Sequence, residues 1–337
     1  MAADAPSAEL RRSYLDLMKQ CLTRALVLGE GWTPGRRRRM VALLMEVLGS
    51  RGLTIVSEVP EHDRAPGPPT SRVPAPLERM LRRRGLRVVR DEQGRPNVLQ
   101  ERRGASITGW GLLDRVRRLD TRLAMREREL GLDWPRDAET MIGLRRLENV
   151  EACLSKAIED GVPGDVIEAG AWRGGTAIFM RAVLAAYGDA SRTVWVADSF
   201  QGLPKPDPIR HPADRGLDYT VHPELSVGVD QVRQNFARYG LLDDQVQFLV
   251  GWFKDTLPSA PLEQLALLRL DADLYESTLD ALTCLYPKLS PGGYCIIDDY
   301  GLLEACRRAV HDYRDDHGIT EPIHAVDWTG VYWRRGE

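Results

Sequence analysis

Hydrophobic and polar positions change rhythm twice along the chain. Residues 9–28 carry apolar side chains at helical spacing, and Gly29-Glu30-Gly31 interrupt it. From about 34 to 130 the pattern is irregular and rich in arginine. It predicts a helix over 35–50, a strand at Leu53–Ser57, a proline-rich loop Pro60–Pro76, a helix over 77–84, a strand at Leu86–Val89 and a charged helix over 111–130. Ser50–Ile55 and Arg84–Val89 share a faint helix, Arg-Gly-Leu, strand pattern, short of the roughly three copies a solenoid needs. From Asp133 short apolar runs alternate with amphipathic stretches. Glu139–Asp160 reads as helical, Val166–Gly170 as a strand, Ala171–Gly175 as a loop and Ala177–Tyr187 as a helix. A strand Thr193–Asp198 leads into a long polar loop, Ser199 to about Pro223, then a helix to Tyr239 and a strand Val246–Val250. Two further apolar runs, a helix Leu303–His317 and a terminal hairpin, Ile323–Asp327 with Val331–Arg334, complete the pattern. Alternating strand and helix predicts an α/β fold, a doubly wound and mainly parallel sheet with helices on both faces. The predicted organisation is an N-terminal helix over 1–30, an accessory α/β insertion over 31–130 and a main domain over 131–337.

The two late apolar runs end in acid. Leu265-Ala266-Leu267-Leu268 leads to Asp271 and Asp273, and Tyr294-Cys295-Ile296-Ile297 leads to Asp298 and Asp299. Between them a helical stretch, Tyr275–Leu289, is stopped by Ser290-Pro291-Gly292-Gly293. Strand, helix, strand makes two parallel strands whose C-terminal ends share one edge, the edge where open α/β sheets bind ligands. Four carboxylates therefore converge. Clustered carboxylates repel one another and are costly to desolvate unless a cation holds them, so a hard divalent metal such as Mg²⁺ is expected.

The first strand–helix turn suggests a second ligand. Glycines there let backbone approach a bound molecule, and Asp198 at the end of the next strand is placed to accept from a ribose diol. Gly170-Ala171-Trp172-Arg173-Gly174-Gly175 is not GxGxxG, because Trp172 takes the third position. Bulk at 172 and 173 leaves little room for a pyrophosphate. Glu168 would repel a diphosphate but could pair with a methionine ammonium. S-Adenosylmethionine fits better than a nicotinamide dinucleotide. A blander reading gives Gly174 and Gly175 to strand–helix packing, and Glu168 and Asp198 to helix capping.

Bulk properties narrow the class. Composition is that of an ordinary globular chain, 43% apolar and 28% charged. A formal net charge of −3 gives no push toward nucleic acid, and no apolar run approaches the roughly 18 residues of a membrane span. The five cysteines are odd in number with no CxxC spacing, which suggests reduced thiols and a cytoplasmic protein. The start, Met-Ala-Ala-Asp, lacks a secretory pattern. The runs Arg36–Arg39 and Arg82–Arg84 read as solvated helix faces in preference to a basic patch for an anionic partner, because the segment also carries acidic residues and lacks a stacking-aromatic pattern.

The stretch from about Asp133 to Arg334 resembles the macrocin O-methyltransferase family. The motifs are Asp-Trp-Pro at 133–135, Thr-Met-Ile-Gly at 140–143, Val-Pro-Gly-Asp-Val-Ile-Glu-Ala-Gly-Ala-Trp-Arg-Gly-Gly at 162–175 and Ala-Asp-Ser-Phe-Gln-Gly-Leu-Pro at 197–204. They continue with Gly-Trp-Phe-Lys-Asp-Thr-Leu-Pro at 251–258, Leu-Arg-Leu-Asp-Ala-Asp-Leu-Tyr-Glu-Ser-Thr at 268–278, Ser-Pro-Gly-Gly-Tyr-Cys-Ile-Ile-Asp-Asp-Tyr at 290–300 and Asp-Trp-Thr-Gly-Val-Tyr-Trp at 327–333. Tyr14-Leu15-Asp16-Leu17 resembles the family's N-terminal helix. Residues 30–130 lie outside the resemblance, and Ala272 stands where the family usually has glycine.

The resemblance implies a seven-stranded, Rossmann-like class I methyltransferase sheet with a C-terminal antiparallel hairpin. It also implies Mg²⁺- and S-adenosylmethionine-dependent methylation of a sugar hydroxyl on a natural product, as in antibiotic biosynthesis. It implies Asp271, Asp298 and Asp299 as metal ligands and Asp273 as general base. The expected methyl-donor contacts are Glu168, Gly170, Trp172, Gly174, Gly175, Asp198, Ser199, Gly251, Trp252 and Asp271. Trp252 is read either as an adenine platform or as a core residue. His211 and His222, in the long loop, read as surface histidines within reach of the acceptor. The expected partners are a small-molecule glycoside and a second copy of the chain, with neither nucleic acid nor membrane. Competing readings are a catechol-type metal-dependent O-methyltransferase and a non-catalytic S-adenosylmethionine-binding module.

Overall fold

The computed structural model describes residues 8–25, 86–90, 96–100, 125–132 and 137–336. The chain divides into two compact units, residues 27–125 and residues 1–26 with 126–337. In the first unit β1 (Leu86–Arg90) and β2 (Pro96–Gln100) form an antiparallel pair. The other elements expected between 34 and 124, with both arginine runs, lie outside the described residues. So does the Asp133-Trp134-Pro135 motif.

The larger unit begins with α1 (Ala8–Leu22), whose Leu15, Met18 and Leu22 are buried at helical spacing. After α2 (Leu144–Glu159), strands and helices alternate: β3 (Asp165–Ala169), α3 (Gly175–Tyr187), β4 (Val194–Asp198), α4 (Val229–Arg238), β5 (Val246–Val250), the short α5 (Phe253–Thr256), β6 (Leu265–Leu270), α6 (Tyr275–Leu285), β7 (Leu289–Ile297), α7 (Glu304–Asp316), β8 (His324–Ala325) and β9 (Val331–Arg334). The sheet order is β5-β4-β3-β6-β7-β9-β8. All neighbours from β5 to β7 are parallel, and β9 pairs antiparallel with both β7 and β8. This is the doubly wound seven-stranded sheet with a C-terminal hairpin that the hydrophobic rhythm and the resemblance implied. The strand order reverses between β3 and β6, which opens a crevice at their C-terminal ends.

Two cores lie on the two faces of the sheet, and the period of two assigns residues to them. Val166, Tyr294 and Ile296 face the core formed with α1, α2, α3 and α4. Ile167, Ala169, Cys295 and Ile297 face the other, with α6, α7 and Trp333.

Several boundaries differ from expectation: the helix expected from Glu139 begins at Leu144, and the one expected to Leu289 ends at Leu285 before a single 3₁₀ turn. Ser290–Gly293 lie inside β7. Leu265 pairs with Leu289 but Leu267 with Tyr294, so the extra residues bulge out and the ladder resumes. The long loop runs to Gly228, not about 223. Its Pro212–Asp214, Tyr219–Val221 and Pro223–Leu225 segments form single 3₁₀ turns, and Pro223 supplies no amide to an α-helical ladder. Among the described residues no helix is long and apolar enough to cross a membrane. All five cysteines are free thiols.

Candidate active site

The C-terminal edge at the strand reversal opens into a cleft of about 350 Å³. Gly170, Trp172, Asp198, Ser199 and Trp252 line one side, and Asp271, Ala272, Asp273 and Glu276 the other, with Gly202–Lys205 and Leu225 from the long loop. Trp252 is half-buried in this wall and lies outside both cores. Three non-glycine residues adopt left-handed backbone at this edge: Trp172 after β3, Phe200 after β4 and Asp273 after β6, with φ of 47°, 55° and 56°. Such conformations persist where surrounding structure holds them, and they gather at functional sites.

On the β3–β4 side the chain builds a cradle of its own backbone. Oδ2 of Asp198 accepts from the amides of Ala171 and Trp172 at 2.7 and 3.2 Å, and Oδ1 from the amide of Phe200 at 2.7 Å. Burial raises the Asp198 carboxyl against these amides, which favour its charge. Gly170 has φ of 95°, and a Cβ there would stand 1.8 Å from the carbonyl oxygen of Asp271. Glycine lets the two strand ends meet. Gly174 and Gly175 do not line the cleft. A Cβ on them would strike Val232 and the carbonyl of Glu139, so they serve close packing. Gly251 also sits back from the cleft, against Thr256.

On the other side the carboxylates divide. Oxygens of Asp271, Asp273 and Asp299 lie within 4.8 Å of one another. Asp273 and Asp299 form no ion pair among the described residues, and Oδ2 of Asp299 accepts the Asp273 amide at 3.3 Å. Burial, then the charges of Asp271 and Asp298, pushes the Asp273 carboxyl up to about 8. Asp299 is raised well above its usual range by burial and by Asp273 and Asp271. Asp298 is engaged elsewhere: its two oxygens receive Arg146 and Arg269.

These partners follow from the sheet. Glu168, Arg269 and Ile296 stand side by side in register on β3, β6 and β7. The period of two then puts Asp271 and Asp298 on the same face. Arg269, fully buried, donates to Glu168 Oε1 at 2.6 Å and to Asp271 Oδ2 at 3.0 Å, as well as to Asp298. Glu168 also accepts from the Ala177 amide at 2.8 Å, so both its oxygens are used inside the protein and it does not line the cleft. Burial raises its carboxyl to about 8, and the Arg269 charge opposes that rise. Arg146 enters from α2 and also donates to Asp327 at 3.1 Å. Sequence reasoning missed both arginines. Their signal was faint: an arginine inside the apolar run Leu267–Leu270, and one of two at the start of a helix.

Of the two loop histidines, His222 is exposed beside Glu224 at 3.3 Å. His211 is half-buried, with Nε2 4.0 Å from Oε1 of Glu276.

All-oxygen donor sets suit hard cations. Three close, partly desolvated carboxylates, two of them without an ion pair among the described residues, therefore fit a divalent metal.

The sequence model of the macrocin O-methyltransferase family, TylF, matches residues 11–335. The chain belongs to this family. It is 60% identical over 208 residues to the 8-demethyl-8-(2,3-dimethoxy-alpha-L-rhamnosyl)-tetracenomycin-C 4'-O-methyltransferase of Streptomyces olivaceus, over 61% of this chain and 79% of that one. It is 56% identical over 211 residues to the mycinamicin III 3''-O-methyltransferase of Micromonospora griseorubida, over 62% and 83%. Among solved structures it is similar to the O-methyltransferase NovP, with 50% identity and a TM-score of 0.62 over 63% of this chain and 88% of that chain. As a member of the macrocin O-methyltransferase family, the chain is an O-methyltransferase.

Proposed function

We propose that this protein transfers the methyl group of S-adenosylmethionine to a hydroxyl of a sugar carried by a natural product, with Mg²⁺ bound at the acidic strand ends. The observation that carries the reading is the group Asp271, Asp273 and Asp299, set across the cleft from the Asp198 cradle in a chain of this family. The named relatives act on a rhamnosylated tetracenomycin and on mycinamicin III.

In the transfer the acceptor oxygen forms a bond to the methyl carbon, the carbon–sulfur bond breaks, and the hydroxyl proton goes to a base. Asp273 is that base. It faces the cleft, has no ion pair among the described residues, and has a proton affinity raised to about 8. Such assistance is worth about 10²–10⁴-fold. Asp271 and Asp299 would hold the cation. Asp298, expected as a third ligand, would join them by exchanging a guanidinium for it. Bound there, Mg²⁺ supplies Lewis-acid polarisation and orientation of the acceptor hydroxyl. Gly170 and the loop held by Asp198 shape the donor side, and Trp252 offers it a flat apolar wall.

The test is mass spectrometry of deoxysugar glycosides incubated with the protein, Mg²⁺ and S-adenosylmethionine. A gain of one methylene on the sugar is expected, abolished by excess EDTA. Asp271→Ala should lose turnover while still binding S-adenosylhomocysteine in calorimetry. Full activity of that variant, or in EDTA, removes the metal from the reading.

A further inference from the structure

The loop between β4 and α4, residues 199–228, is fastened to both sides of the cleft it helps to line. On the donor side, Nε1 of Trp172 donates to the Glu224 carbonyl at 2.9 Å, next to cleft-lining Leu225. On the acceptor side the fastening is a carboxylate. Asp214 is an acid with 0% exposure, presented by the turn Pro212–Asp214. Its Oδ1 accepts from the Tyr275 amide at 2.6 Å, and its Oδ2 from the Glu276 amide at 3.2 Å.

Those are the first two amides of α6. The residue in the N-cap position, Leu274, has no side-chain oxygen to offer them. Asp214, 61 residues earlier, takes the part that a capping side chain usually plays. Neighbouring contacts agree. The His211 ring lies 5.7 Å from the Tyr275 ring, and the Tyr275 hydroxyl donates to Asp312 of α7 at 2.9 Å.

Two residues upstream of the first of these amides lies Asp273. Its backbone is left-handed, and the turn around it closes tightly, with the Leu274 amide 2.6 Å from the Ala272 carbonyl. The Asp299 carboxylate holds the Asp273 amide. Asp214 holds the two amides that begin one residue beyond Leu274.

We infer that Asp214 is a positioning residue for methyl transfer, whose buried carboxylate ties the 199–228 loop to the first turn of α6 and so sets the loop and the direction of Asp273 together. The part concerning Asp273 rests on the function proposed above.

Asp214→Ala and Asp214→Asn in the full chain test it. By hydrogen-exchange mass spectrometry, peptides covering 207–223 and 273–279 of the alanine variant should exchange about tenfold faster, the scale of a lost helix cap, with β3 and β4 unchanged. Asparagine keeps the volume and one accepting oxygen, so its effect should be intermediate, and it serves as the decisive variant should alanine prevent folding. On a glycoside that the wild type methylates, kcat should fall about tenfold or more in the alanine variant, while KM for S-adenosylmethionine stays within about twofold. Unchanged exchange in both segments overturns the inference, as does an unchanged kcat or a loss confined to donor binding. If the wild type methylates no glycoside, the sugar reading fails, and the exchange measurement alone decides the role of Asp214.

Discussion

Arg269 stands between Glu168 on one neighbouring strand and Asp298 beyond the other, with no solvent access. Breaking a buried ion pair by removing one partner leaves the other charge uncompensated, at a cost of about 3–5 kcal/mol. Arg269→Met should lower stability by that order in a denaturant titration. Arg269→Lys should recover little, because a single ammonium cannot replace a fork that reaches three carboxylates. Arg269 was visible in the sequence only as a polar residue in an apolar strand. Two of its three partners, Glu168 and Asp298, are 101 and 29 residues away, and only strand register brings them together. The aspartate pairs were legible because adjacent residues reveal a strand end. The capture of Asp298 by arginines, and of Glu168 away from the cleft, was not. Asp273 carries a pH prediction. A base must be ionised, and burial with the Asp271 and Asp298 charges raises its carboxyl to about 8. Turnover at subsaturating Mg²⁺ should therefore fall as pH is lowered through that range. A nearby positive charge favours the carboxylate, so the limb should move to lower pH as Mg²⁺ is raised. Rate profiles at two Mg²⁺ concentrations check the direction.

At the scale of elements, the edge where β3 meets β6 is set by one missing side chain. Gly170→Ala places a Cβ against the Asp271 carbonyl in a backbone region that alanine disfavours. Overpacking of this kind costs about 1–3 kcal/mol. Because the strand that must yield carries Asp271, kcat should fall further than the change in Tm alone would suggest, and parallel melting and turnover measurements check that. Most strands and helices of the larger unit were legible because they bury a clear apolar period against one of the two cores, whereas the four-residue α5, with no buried residue, gave no such signal. The bulge at Ser290–Gly293 was not, because a Ser-Pro-Gly-Gly run reads locally as a turn and only pairing with β6 shows that the strand continues through it. The late start of α4 was hidden in the same way, as three single 3₁₀ turns give no long periodic signal.

At the scale of the whole molecule, α1 belongs to the same compact unit as residues 126–337 although about a hundred residues intervene. Leu15, Met18 and Leu22 enter the core beside α3, and Arg24 donates to the Asp137 carbonyl at 2.9 Å and to Glu139 at 2.8 Å. The main unit is thus joined by its own contacts from both sides of residues 27–125. A chain in which a short flexible linker replaces 27–125 should still fold cooperatively and bind S-adenosylhomocysteine, as judged by calorimetry. Loss of folding would make residues 27–125 part of the main unit's stability. The double fastening of the 199–228 loop bears on how specificity could be exchanged among relatives. A loop grafted from another family member would bring its own acceptor contacts, yet it would work only as a matched piece. It must carry an acid that reaches the first amides of α6 and a carbonyl that meets the Trp172 indole. Chimeras that honour both attachments should inherit the donor's substrate choice, and those that break either should be poor catalysts on every glycoside.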